Sequence, residues 1–155
     1  MNERWLPLAL GVAWALGTAV LGASLTTIGP WYQGLERPWF QPPDWAFGPA
    51  WTLIFALSGY ALMRAWRAGA GRLLLGVFVL NGGLNALWSF LFFTSRRPNW
   101  ALIEIVPLWL SILAMIWLAA RHDRVAAWCI MPYIAWVSFA AVLNLAIVRL
   151  NGPFG

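Results

Sequence analysis

Trp31-Tyr32-Gln33-Gly34-Leu35-Glu36-Arg37-Pro38-Trp39-Phe40-Gln41-Pro42-Pro43-Asp44-Trp45-Ala46-Phe47-Gly48-Pro49-Ala50-Trp51-Thr52 is the longest interruption in an otherwise apolar chain. Pro38, Pro42 and Pro43 fix φ and remove backbone donors, so residues 37–43 are not helix interior. The stretch is nonetheless too aromatic for a solvated linker. A loop that carries Trp31, Tyr32, Trp39 and Phe40 has to rest on something apolar. It reads as a lid folded onto the mouth of a helix bundle.

Working outward, apolar residues make up 62% of the chain and charged residues only 10%. A soluble domain carries about a quarter charged residues. With a mean hydropathy of +0.71, the polar surface is too small for a water-facing globule. The expected class is an all-α membrane protein, multi-pass and integral, with one domain over 1–155. Five apolar runs stand out, at residues 5–25, 45–66, 73–93, 100–120 and 125–148. Each exceeds the roughly 18 residues of a spanning helix and, at ~1.5 Å per residue, crosses a ~30 Å hydrocarbon core. Backbone groups in lipid must pair within their own segment, so the runs predict helices. The first run is longer than the roughly 7–15 residues of a signal-peptide core, which predicts a retained helix. Short breaks after the second, third and fourth runs predict antiparallel neighbours.

The net charge is +5, and all ten cations are arginines in or near the breaks. Such clusters contact lipid phosphates, and no basic face for nucleic acid remains once the spans are set aside. Arg4, Arg64, Arg67, Arg72, Arg121 and Arg124 fall on the N-terminal side, against Arg37, Arg96, Arg97 and Arg149 on the other. That excess predicts the N terminus inside and the aromatic loop outside. A bacterial-type cell membrane and an outer membrane both fit. One cysteine, Cys129, and one histidine, His122 in a charged turn, provide no metal-binding cluster. No serine has a His/Asp pair, and no Gly-rich loop precedes a helix in a phosphate-binding arrangement.

Polar and aromatic residues within the spans narrow the function. Trp5, Trp45, Trp66, Trp100 and Trp128 lie near span ends, as an interfacial belt requires. Trp14, Trp51, Trp88, Trp109 and Trp136 lie deeper, where an indole N–H needs a partner; packing between helices and a pocket lining both account for them. Asn81 and Asn85 share a face of the third span, with Trp88 and Ser89 one turn on. Pro132, Trp136, Ala140 and Asn144 form a similar line on the fifth. Amides in lipid either glue helices together or face a cavity, and two such lines favour a pocket. Pro49, Pro107 and Pro132 predict bends. Glu104, one turn from a span end, reads as an interfacial acid, with an intramembrane proton relay as the sharper alternative. Gly76, Gly82, Gly83 and Ala86 on the third span predict a homodimer through that helix, Gly82 and Ala86 being a small-xxx-small pair.

Together these residues resemble the translocator protein family, known in bacteria as tryptophan-rich sensory proteins and in mammals as the peripheral benzodiazepine receptor. The resemblance rests on Trp31-Tyr32, Arg37-Pro38-Trp39, Pro42-Pro43, Trp45, Phe47-Gly48-Pro49 and Trp51-Thr52. It continues through Asn85-Ala86-Leu87-Trp88-Ser89 with Phe92-Phe93, and through Pro132 to Trp136 with Phe139-Ala140 and Leu143-Asn144. It covers essentially the whole chain and implies a five-helix bundle, usually dimeric, with a pocket under the first loop. The ligands it implies are porphyrins, benzodiazepine-type molecules and, in mammals, cholesterol. Tyr32, Trp51, Asn85, Trp136 and Ala140 match family pocket positions, and Trp39 of the loop and Trp88 complete the candidate ligand-binding set. Trp51 and Trp136 match the two tryptophans implicated in light-dependent breakdown of protoporphyrin, which makes them the candidate catalytic residues. The chain departs from the mammalian sterol motif: Leu145 precedes Arg149 with no tyrosine after Tyr133, so cholesterol binding there is not carried over. Leu57, Tyr60 and Arg64 meet the same loose pattern, one that an apolar chain meets by chance.

The leading expectation is a membrane sensor or regulator that binds porphyrins such as protoporphyrin IX or haem as ligands and requires no cofactor. A flat apolar macrocycle stacks on indole faces under an aromatic lid. The alternatives are light-dependent oxidative degradation of protoporphyrin IX and transport of a porphyrin or sterol. The transporter ranks lowest, because Glu104 is the only acid within a span and no two-fold repeat is evident.

Overall fold

The computed structural model describes residues 4–154; Met1 to Glu3 and Gly155 of the expected 1–155 domain lie outside the described residues. The described residues are mostly helical, with no strand among them. The elements are α1 (Leu6–Leu25), a single turn α2 (Pro30–Gln33), α3 (Phe47–Arg67), α4 (Arg72–Ser89), α5 (Pro98–Ala120) and α6 (Arg124–Asn151). A 3₁₀ turn, Asp44–Ala46, leads into α3, and a π-helical turn, Phe90–Thr94, extends α4. Counting those extensions, α1, α3, α4, α5 and α6 are long and apolar enough to span a bilayer. The protein is an integral multi-pass membrane protein.

Local chemistry accounts for the helix ends. Pro98 starts α5 at a position whose missing N–H is unpaired in any helix. Asp123 caps α6: its Oδ1 accepts from Val125 N at 2.7 Å and Ala126 N at 3.1 Å. The Ala126 N–H bond in the first place, with the Arg64 guanidinium and Val125 N–H behind it, holds the Asp123 carboxyl below its ordinary range. Arg64 Nη2 sits 2.8 Å from Asp123 Oδ2 and ties the end of α3 to the α5–α6 turn. Pro49 lies in the first turn of α3, so it begins that helix and does not bend its interior as its sequence position suggests. α5 and α6 continue through Pro107 and Pro132.

The bundle closes where glycines let backbones meet. A Cβ placed on Gly11 of α1 would lie 2.3 Å from the Gly59 carbonyl oxygen of α3, and one on Gly59 would lie 2.6 Å from Gly11 O. Side chains at either position would force the two helices apart. Gly82 does the same for α1 and α4: its Cβ would lie 2.9 Å from Thr18 Oγ1. Into that space Trp14 extends its indole and donates to the carbonyl of Phe78. Gly82 is therefore spent inside the protomer, which corrects its assignment to a dimer face. Gly76 and Gly83 face outward, with nothing within 4 Å of an added Cβ. Phe78, Leu62, Ile112, Met115 and Ile130 fill the core. Residues such as Val20, Leu73 and Ile103 stay largely exposed, as side chains facing lipid do.

Glu104 does not reach the interface as its sequence position suggests. It is buried, and neither carboxylate oxygen has a hydrogen-bond partner among the described residues. It points into the bundle because it shares the inward face of α5 with Leu108 and Ser111.

The α1–α3 crossing gives a direct test. Gly59→Ala should destabilise the bundle by about 1–3 kcal/mol, the usual cost of overpacking. Gly83→Ala, on the open face, should change little. Thermal unfolding of the two variants in the same detergent measures the difference.

Candidate functional site

Between α1, α3, α4 and α6 the chain leaves a cavity of 560 Å³. That is within the roughly 300–1,000 Å³ of small-molecule sites. The backbone that makes it is specified locally. Trp51 lies one turn into α3, just past the proline-bearing start. On α4, Asn85, Trp88 and Ser89 share a face, and the π-helical turn that follows brings Phe92 and Phe93 round to the same side. π-helical turns of this kind recur at functional sites. On α6, Trp136, Ala140 and Asn144 follow one another along one side, and all three line the cavity.

The deep tryptophans divide by the fate of their N–H groups. Trp14 donates to Phe78 O, and Trp109 Nε1 donates to Ser138 Oγ at 2.9 Å. Those two join helices. Trp51, Trp88 and Trp136 have no hydrogen-bond partner among the described residues, and all three line the cavity. Trp51 and Trp136 meet edge to face at 6.4 Å. Trp51 stacks on Phe55 at 5.2 Å and Trp88 on Phe92 at 5.1 Å. The walls are therefore aromatic faces held by other rings.

The floor is polar. Asn85 Nδ2 donates to Tyr133 Oη at 3.2 Å, and that hydroxyl donates to Asn81 Oδ1 at 3.1 Å. Asn81 Nδ2 donates in turn to Ser111 Oγ at 2.9 Å, which donates to Leu108 O. The network joins α4, α5 and α6. Asn81 is wholly internal, whereas Asn85 reaches the cavity with its Oδ1 unpartnered among the described residues. The Asn144 amide lies against the start of α5, and the orientation that satisfies both its atoms has Nδ2 donating to Pro98 O at 3.0 Å and Oδ1 accepting from Leu102 N at 3.2 Å.

The segment between α1 and α3 covers one end of the cavity. Tyr32 is buried against Phe93, with ring centroids 5.4 Å apart. Its hydroxyl donates to Asp44 Oδ1 at 3.4 Å and accepts from Gln41 Nε2 at 3.2 Å. Burial, and then the Asp44 carboxylate, push the Tyr32 phenol above its ordinary pKa, so it remains a neutral hydroxyl. Gln41 and Asp44 also line the cavity, and Gln41 Oε1 is buried without a partner. Arg37 neutralises Asp44 through contacts of 3.1 and 3.2 Å and lies over the Tyr32 ring. The segment does not rest on aromatic contacts alone. Asn151, at the end of α6, accepts from Glu36 N at 2.7 Å and donates to Glu36 O at 2.9 Å.

Of the residues expected at the site, Tyr32, Trp51, Asn85, Trp88, Trp136 and Ala140 line this cavity together. Trp39 does not. It is 95% exposed, on the outside of the loop, edge to face with Phe40. A flanking proline fixes its backbone direction, and Phe40, its neighbour, takes the inward place against Phe139. Tyr133, Phe55, Phe92, Gln41 and Asp44 were not singled out by their positions in sequence. Tyr133 had a usable signal: it is three, seven and eleven residues before Trp136, Ala140 and Asn144, on one helical face.

Comparison with known proteins gives a consistent assignment. The TspO/MBR family pattern matches residues 7–150. The chain is 38% identical to tryptophan-rich protein TspO of Archaeoglobus fulgidus over 153 residues, covering 97% of this chain and 99% of that protein. It is 32% identical to the tryptophan-rich sensory protein of Cereibacter sphaeroides, covering 97% and 95%. To the translocator protein of Homo sapiens it is 30% identical, covering 97% and 94%.

Tyr133→Phe keeps the ring and removes the hydroxyl that Asn81 and Asn85 share. Leaving those amides unpaired should cost about 1–3 kcal/mol. Thermal unfolding should fall accordingly, and Asn81→Leu combined with Tyr133→Phe should recover part of the loss.

Proposed function

The chain belongs to the TspO/MBR family, and from that membership and its cavity we propose that it is a membrane sensor that binds tetrapyrroles such as protoporphyrin IX. The observation that carries this reading is the convergence of Trp51, Trp88 and Trp136 on one 560 Å³ space. A planar macrocycle offers two apolar faces to such walls. Its pyrrole N–H groups and polar edge have few fixed partners to satisfy: Asn85 Oδ1 at the floor, and Gln41 Oε1 at the mouth. Arg37, at the same mouth, suits carboxylate substituents left near the surface. Benzodiazepine-type molecules, likewise flat and apolar with few acceptors, suit the same walls. The α1–α3 segment acts as the lid, with Tyr32 facing the ligand.

A second reading, light-dependent oxidation of the bound porphyrin, has one specific observation in its favour. Trp51 and Trp136 are adjacent and both face the cavity, so two oxidisable indoles would touch one ligand.

Titration of purified protein with protoporphyrin IX, in darkness and then under illumination, tests both readings. Trp51→Ala and Trp136→Ala should each weaken dark binding roughly threefold to tenfold, the worth of an aromatic pair beyond buried area. Trp39→Ala should leave affinity unchanged. Bound ligand should also slow amide exchange over residues 33–44. If both alanine variants bind as wild type while folded, the cavity is not the porphyrin site. Trp51→Phe and Trp136→Phe separate the two readings. A sensor loses a little affinity and illuminated samples match wild type; an enzyme keeps its affinity and stops bleaching the ligand.

We further propose a homodimer through the outward face of α4, where Gly76 and Gly83 leave room for a second helix. Gly76→Leu and Gly83→Leu should each reduce crosslinked dimer in bilayers. Wild-type protein that crosslinks only as monomer refutes the dimer.

A further inference from the structure

The other end of the bundle carries a second recess, of 410 Å³, lined by Tyr60, Met63, Arg64, Arg67, Ala68 and Asp123. It lies where α3 ends beside the α5–α6 turn, at the end that also bears Arg4, Arg72, Arg121 and Arg124. We propose that it holds the phosphodiester headgroup of an anionic membrane lipid.

The charges in the recess are unequally committed. Asp123 has no acceptor to spare: Oδ1 takes the Val125 and Ala126 N–H groups, and Oδ2 takes Arg64 Nε at 2.9 Å and Nη2 at 2.8 Å. Arg64 also donates from Nη1 to Tyr60 Oη at 3.3 Å. Arg67 is exposed and has no ion pair or side-chain hydrogen bond among the described residues. Two guanidinium groups thus line a recess with one already satisfied carboxylate, leaving an excess positive charge. A guanidinium fork matches phosphate oxygens in pairs.

The surroundings supply the rest of the lipid. Leu53, Leu57, Tyr60, Arg64 and Arg67 recur every three or four residues, so they form one outward stripe of α3. Leu53 is 57% exposed and Tyr60 44%. The stripe runs from apolar to aromatic to cationic, in the order of acyl chain, glycerol and phosphate. It includes the Leu57, Tyr60 and Arg64 of the loose sterol pattern, but its chemistry is not that of a sterol site. A sterol offers one hydroxyl and leaves Arg67 unmatched. A zwitterionic lipid brings an ammonium group, and the Asp123 oxygens that could receive it are occupied. An anionic headgroup fits both facts.

Native mass spectrometry of the full chain, delipidated in detergent and titrated with phosphatidylglycerol, reads this directly. One phosphatidylglycerol per protomer should be retained. Arg67→Gln should weaken retention roughly tenfold, as loss of a charge-assisted hydrogen bond does. Arg72→Gln, at the same end but outside the recess, should change it less than about twofold by the same measure. Arg67 has no side-chain partner among the described residues, so its variant should unfold at the wild-type temperature. Equal retention by the two variants would mean only general attraction to anionic lipid, and would overturn the site. So would equal retention of phosphatidylcholine, or retention of cholesterol that Arg67→Gln abolishes. Inorganic phosphate at the lipid's own concentration should not displace it; displacement would mark a site for free anions and refute the lipid.

Discussion

The Tyr133 hydroxyl accepts from Asn85 and donates to Asn81, and this pair of hydrogen bonds ties α6 to α4. Within hydrocarbon there is no water to substitute for a lost partner, so each of these groups must be satisfied by another helix. The network extends through Ser111 to α5. It joins polar side chains of three helices at the floor of the cavity. Most of the large side chains around the rest of the cavity are aromatic. The polar groups beneath the cavity are held by one another, and the rings around it are held by their own contacts with other rings.

The same logic separates the tryptophans. An indole N–H that finds a carbonyl or hydroxyl becomes a joint between helices, as Trp14 does with Phe78 and Trp109 with Ser138. One that finds none is tolerated only where a space adjoins it. Trp51, Trp88 and Trp136 are in that position, and all three line the cavity. The close backbone crossing at Gly11 and Gly59 complements this arrangement. It draws α1 onto α3 at one level, and Phe55 of α3 meets Trp14 of α1 edge to face at another.

The two ends of the bundle differ in kind. At one, the α1–α3 segment is pinned by Tyr32 on Phe93 and by the paired hydrogen bonds of Asn151 to Glu36, and its one ion pair among the described residues, Arg37 with Asp44, is internal to it. At the other, Arg64 and Asp123 clamp α3 to the α5–α6 turn and arginine is in excess. Both ends carry arginine, but at the mouth of the cavity Arg37 is paired with Asp44, whereas at the opposite end Arg67 has no ion pair among the described residues.

Much of this was legible in the chain itself. The five spans fall within a few residues of the apolar runs, because in lipid a helix must satisfy its own backbone and so is a local property of the sequence. Pro38, Pro42 and Pro43 marked the loop, and the lines Asn85–Trp88–Ser89 and Trp136–Ala140–Asn144 marked two walls of the cavity. The side each remaining residue faces was decided only by the tertiary structure. Gly82 packs inward while Gly76 and Gly83 face outward; Glu104 is buried; Trp39 is exposed and Phe40 is not. Asn151 meets Glu36 across 115 positions. A helix that is apolar on every side has no hydrophobic face to report its orientation, since lipid and bundle interior are equally oily. Only contacts with distant helices distinguish them, and those contacts exist only once the chain has folded.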